Sequence, residues 1–186
     1  MDWLLFLPQL PSNPSSLRVT VWRKMRAAGA LGLQNGVWVL PDLPEQQKFT
    51  SELLLSLQNQ GATGQIFKVS PLTNDIEKEI FARFRADREE EYTELIEKSS
   101  ALLEEITEEI SVEKYTFAEL EETEQEMQKL EKWLEKIQKR DFTVAKNAEE
   151  SVQIMHQCQN ALREYSKQVY IKQGMEAETD IDYLDQ

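Results

Sequence analysis

The chain has 186 residues, 40% of them apolar, a net charge of −13, one Cys and one His. That length holds one ordinary domain or a small one with an extension, and so few Cys and His exclude a disulfide framework, a Cys-rich metal site and a His cluster. No run approaches the roughly 18 apolar residues of a membrane span, and the basic start and cleavage site of a signal peptide are missing, so a cytoplasmic protein that does not enter a membrane is expected.

In chain order, Trp3–Leu7 is a wholly apolar run that reads as a central strand buried on both faces and stopped by Pro8. Residues 12–16 form a turn cluster. Ser15 or Ser16 can N-cap a helix from Leu17, in which Leu17, Val21, Met25 and Ala28 recur on one face. Gly29 stops that helix at its left-handed C-cap. Ala30–Leu33 then reads as a strand, Asn35-Gly36 as a two-residue hairpin turn, and Val37–Leu40 as the returning strand.

Pro44 opens a second amphipathic helix, expected over 45–60, with Phe49, Leu53, Leu54 and Leu57 on its apolar face. Gly61 and Gly64 break it, and Gln65–Val69 alternates as a fourth strand. Strand, helix, strand, strand, helix, strand makes two βαβ halves. The predicted fold class is therefore α+β, a ferredoxin-like four-stranded antiparallel sheet over residues 1–73.

Composition changes after Thr73. Residues 1–73 carry a net +2 and residues 74–186 a net −15, so a nucleic-acid footprint would belong to the first part. Three helices are expected over 74–173 as an antiparallel, coiled-coil-like extension. The first starts near Asn74 and carries Ile76, Ile80, Phe84, Leu95, Leu102, Ile106 and Ile110, with its apolar stripe lapsing over 85–91. The second runs from Phe117 to Lys139, with Leu120, Met127 and Leu134 on one heptad position and Leu130 and Ile137 on another. The third is expected directly after Asp141 as N-cap, with Ala145, Val152 and Gln159 set against Ala148, Met155, Leu162 and Val169. Residues 174–186 are acidic and aperiodic and read as a loose tail.

The start of the first helix has the clearest binding chemistry. Free N–H groups there, the Ser15 and Ser16 hydroxyls and Arg18 suit a tetrahedral oxyanion, against the plainer account of a capping serine beside solvated arginines. Arg85 and Arg88, in the segment RFRADREEEY, are candidates to complete that anion pocket, against the plainer account of a solvated ion-pair face. Arg18, Arg23, Lys24 and Arg26 form the candidate DNA-contacting set. Trp22 and Trp38 could stack bases, although both indoles packing between the sheet and the helical extension is the simpler expectation. His156 and Cys158 lie on different faces of the third helix with nothing to complete a metal or nucleophile constellation. No P-loop, dinucleotide fingerprint or nucleophile elbow is present, so no enzyme, metal or cofactor is expected.

The segments PSSLR, VWRKMRAAGA, LQNGVWVLPD, ADREEEY at 86–92 and KRDF at 139–142 together resemble the N-terminal domain of the chromate resistance protein ChrB. The hairpin half is distantly similar to the middle domain of PaaX-type repressors and to small ferredoxin-like CRISPR-associated nucleases. The nuclease carry-over fails where Pro8-Gln9-Leu10 stands in place of the acidic residue that ends that family's first strand. The ChrB resemblance implies an oxyanion-responsive transcriptional regulator or sensor module of chromate resistance, with chromate or a similar oxyanion and DNA as partners. The residues themselves equally fit a homodimeric assembly module that binds neither. Full-length members of the family continue into a second domain beyond the part this chain resembles.

Overall fold

A computed structural model of the chain describes residues 1–11, 16–34 and 36–174. Among these described residues nine elements follow in order: β1 Trp3–Gln9, α1 Ser16–Ala27, β2 Leu31–Gln34, β3 Val37–Pro41, α2 Pro44–Gln58, β4 Thr63–Val69, α3 Asn74–Ser111, α4 Phe117–Lys139 and α5 Ala148–Lys172. The strands form one antiparallel sheet ordered β2-β3-β1-β4, the order that two interleaved βαβ halves produce. Compact packing divides the described residues into two units, those of 1–88 with 139–145 and those of 89–138 with 146 onward. The division runs through α3.

In the first unit, Leu4 and Phe6 of β1, Trp38 and Leu40 of β3, Leu17, Val21 and Met25 of α1, and Leu53 and Leu57 of α2 make one core layer. Alternation along β1 sends Trp3 to the other face, where it packs with Leu31, Val39 and Phe84. The Trp3 ring stacks on Phe84 with centroids 5.5 Å apart and meets Phe81 edge-on at 5.2 Å. The α1 face is the one its periodicity announces, and Gly29 ends the helix at φ +75°.

Two local expectations change. β1 continues through Pro8, because its register with β3 stops at Phe6↔Trp38 while pairing with β4 runs on to Gln9↔Thr63. There β1 pairs on one side only, which accommodates a residue without an N–H. In α2, Gln46 and Thr50 are buried beside Leu53 and Leu57, and Thr50 is accommodated because its Oγ1 donates to Gln46 O at 2.8 Å. Phe49 and Leu54 pack on the edge of the same core.

The second unit holds the remainder of α3 with α4 and α5. Leu120, Met127, Leu130, Leu134 and Ile137, the expected α4 seam, are all buried, as are Leu95, Leu102 and Ile106 of α3. Asn147 Nδ2 donates to Glu89 O, Cys158 Sγ to Ser99 O and Tyr165 OH to Lys114 O, so α5 runs parallel to α3, with α4 antiparallel to both.

The α5 start differs from the expectation. Asp141 does cap backbone N–H groups, accepting from Thr143 N at 3.2 Å and Ala145 N at 2.9 Å, but it closes a loop. Val144 takes φ +54° in that loop, and the helix begins only at Ala148. The α5 seam is accordingly Ser151, Met155, Cys158, Tyr165 and Val169. On α3, Ile76 is exposed. The tail expected after Gly174 lies outside the described residues. Among the described residues no helix is long and apolar enough to cross a membrane.

Candidate functional site

α1 is held by Leu17, Val21 and Met25, three residues on one stripe, so its other faces are presented outward. Ser16 is exposed at the start of the helix, and its carbonyl accepts a hydrogen bond from Thr20 Oγ1 at 2.9 Å. Ser15 lies outside the described residues. Arg18 borders a groove of about 520 Å³ that it shares with Pro8, Leu10, Val21, Trp22, Gly36 and Trp38.

The two indoles have opposite environments. Trp38 is 8% exposed and belongs to the core, whereas Trp22 is 55% exposed. The expectation that both pack between the sheet and the helical extension therefore fails, at Trp22 because it is exposed and at Trp38 because it packs in the layer with α1 and α2. Its position one turn beyond Arg18 puts it off the Leu17–Val21–Met25 stripe.

The four basic residues of α1 differ in their surroundings. Arg26 Nη1 donates to Asp87 Oδ2 at 2.8 Å, and Lys24 lines a second groove that also contains Glu45, Glu52, Lys139 and Arg140. Arg18 and Arg23 are exposed and have no hydrogen bond or ion pair among the described residues. Asp87 thus engages Arg26 near the C-terminal end of α1, and Arg18, Arg23 and Lys24 are left without a hydrogen bond or ion pair among the described residues.

The start of α3 binds to the sheet through a residue outside the candidate set. Arg83 Nη2 donates to Gly32 O on β2 at 2.7 Å, while Asp87, one turn further, engages Arg26. Arg85 is exposed and Arg88 is 3% exposed. Neither is among the residues that line the groove at Arg18. The readable signal for Arg83 was its i, i+4 spacing to Asp87 beside the buried Phe84.

The KRDF segment meets the end of α1. A Cβ placed on Gly29 would come 2.6 Å from Arg140 Cβ, so only glycine fits both this approach and the φ of +75°. Phe142 meets Phe84 edge-on, with centroids 6.0 Å apart. In α5, His156 is exposed and accompanied by Gln159, while Cys158 is fully buried, and that burial pushes its thiol up to about 11.

The fold and this surface define a ferredoxin-like α+β protein carrying a helical unit, with an outward basic and aromatic face on its first helix. The family described as Protein ChrB, N-terminal, matches residues 18–176, and the chain belongs to that family, which the sequence resemblance ties to chromate resistance. It is 33% identical over 100 residues to Protein ChrB of Cupriavidus metallidurans. That match takes in 53% of this chain and 30% of the relative's length. No solved structure matches.

Proposed function

We propose that this chain is a non-catalytic, cytoplasmic regulatory module of chromate resistance whose contact surface is the outward face of α1. The observation that carries this reading is the division of the basic residues of α1. Arg26 is paired with Asp87, whereas among the described residues Arg18, Arg23 and Lys24 have no ion pair, on a helix fixed from beneath. Arg18 beside the exposed Trp22 supplies charge-assisted N–H donors over an apolar wall, which suits an oxyanion such as chromate.

The same two arginines are the residues of the DNA-contacting set best placed to meet backbone phosphates. The family relationship supports a regulator, and the negative charge of residues 74–186 confines a phosphate contact to the sheet unit. Fluorescence anisotropy with a duplex from the chain's own upstream region, titrated across a salt series, tests the DNA contact. Each phosphate contact removed by Arg18→Ala or Arg23→Ala lowers the salt slope by about 1. Absence of affinity at low salt contradicts direct DNA contact.

A further inference from the structure

The two edges of the sheet are built differently. β2 has four residues, a register shift between Gly32 and Gln34, and a backbone carbonyl already taken by Arg83. Short length, irregularity and occupied edge groups are the features that keep a strand from pairing with another chain. β4 has none of them. It is seven residues long, pairs with β1 in unbroken register from Thr63↔Gln9 to Val69↔Trp3, and contains no Pro. Among the described residues no backbone hydrogen bond outside the sheet involves 63–69.

Charge does not guard this edge either. The one charged residue of β4 is Lys68, and it is bound to Asp42 at 2.7 Å and Asp2 at 3.0 Å. On the opposite face of the strand Phe67 is 46% exposed and Gln65 is exposed beside it. The strand presents a long, regular, unguarded edge flanked by an aromatic side chain.

We infer that β4 is a pairing edge and that its occupant is β4 of a second copy of this chain, joined across a two-fold axis into a continuous eight-stranded sheet. Self-complementarity favours a second copy. An antiparallel pair centred on Ile66, the midpoint of β4, uses all seven residues and sets Gln65 opposite Phe67 of the other copy. In that register Lys68 faces Gly64, so like charges do not meet. The pairing is independent of what α1 contacts.

Sedimentation velocity of the full chain, with Gln65→Lys/Phe67→Lys as the variant, tests the inference. Both positions are exposed, so the fold is retained, and far-UV circular dichroism checks that. The double variant sets lysine opposite lysine twice and is expected to be monomeric where the wild type is dimeric. In addition, Ile66→Cys is expected to form an intermolecular disulfide on mild oxidation, because facing residues at the two-fold lie within disulfide reach; the buried Cys158 does not compete. A wild type that is monomeric up to its solubility limit overturns the proposal. So does a dimer that survives the double variant, which would point to pairing through the helices.

Discussion

Gly29 shows how much one residue constrains. Its positive φ and the 2.6 Å approach of Arg140 Cβ make separate demands, and only a residue without a side chain satisfies both. Gly36 also has positive φ, at +80°, but a Cβ there would meet open space. Gly36→Ala should therefore cost about 1 kcal/mol, for backbone conformation alone. Gly29→Ala should cost at least about 2 kcal/mol, because displacement of the 139–142 segment adds to it. Urea unfolding of the two variants measures the difference, and equal losses would rule out the close approach. The C-cap at Gly29 was readable from helix periodicity. Its second role was not, because it depends on a residue more than a hundred positions away.

At the same scale, Lys68 ties together the ends of β1, β3 and β4. Its hydrogen bond is foremost in holding the Asp42 carboxyl below its ordinary 3.8, helped by Gln47. For Asp2 the Ser70 hydroxyl acts first and Lys68 second. Depressed carboxyl values give stability that is complete above the unfolded value of 3.8 and is lost as pH falls through the folded values. Lys68 is raised by Asp42 and then Asp2, so its share is present below 10.5 and fades as pH rises through its folded value. Lys68→Met should flatten the fall of the thermal midpoint on the acid side of pH 3.8. An unchanged acid limb would show that the cluster contributes nothing to stability.

At the scale of elements, strongly periodic segments were legible and joints were not. Every apolar position expected to line α4 is buried, because a heptad pattern has one efficient way to be covered. The start of α5 was misread because Asp141 gives a real capping signal that is satisfied within a loop. The α5 seam was incompletely readable, since Cys158 and Tyr165 carry polar atoms that only tertiary partners satisfy. Tyr165→Phe leaves Lys114 O without its donor and should cost about 1 kcal/mol in urea unfolding; no loss would mean that water replaces the hydroxyl without penalty. Cys158, raised to about 11 by burial, should resist thiol reagents near neutral pH until the chain is unfolded. Fast labelling of the folded chain would contradict that seam.

For the whole molecule, the uneven charge and a sheet part followed by a helical part were readable in the sequence, whereas a division that falls inside α3 and returns 139–145 to the first unit was not. The residues of 85–91 read as a polar lapse, yet Arg88 is buried and Asp87 binds Arg26. A polar stretch buries when its groups find partners, and the one Asp87 finds, Arg26, is 61 positions away. The candidate surface was legible in the same measure. Arg18 and Trp22 stood out by their spacing on α1. The engagement of Arg26 by Asp87 and of β2 by Arg83 required the fold. The central claim of the proposed function is an oxyanion contact at Arg18. Thermal unfolding of the wild type and Arg18→Ala, each with chromate and with sulfate, tests it most directly, because a ligand that binds only the folded chain must raise the midpoint. The account predicts a rise with chromate in the wild type that disappears in Arg18→Ala. The same midpoint with and without chromate in the wild type, or a rise that persists in Arg18→Ala, would contradict it.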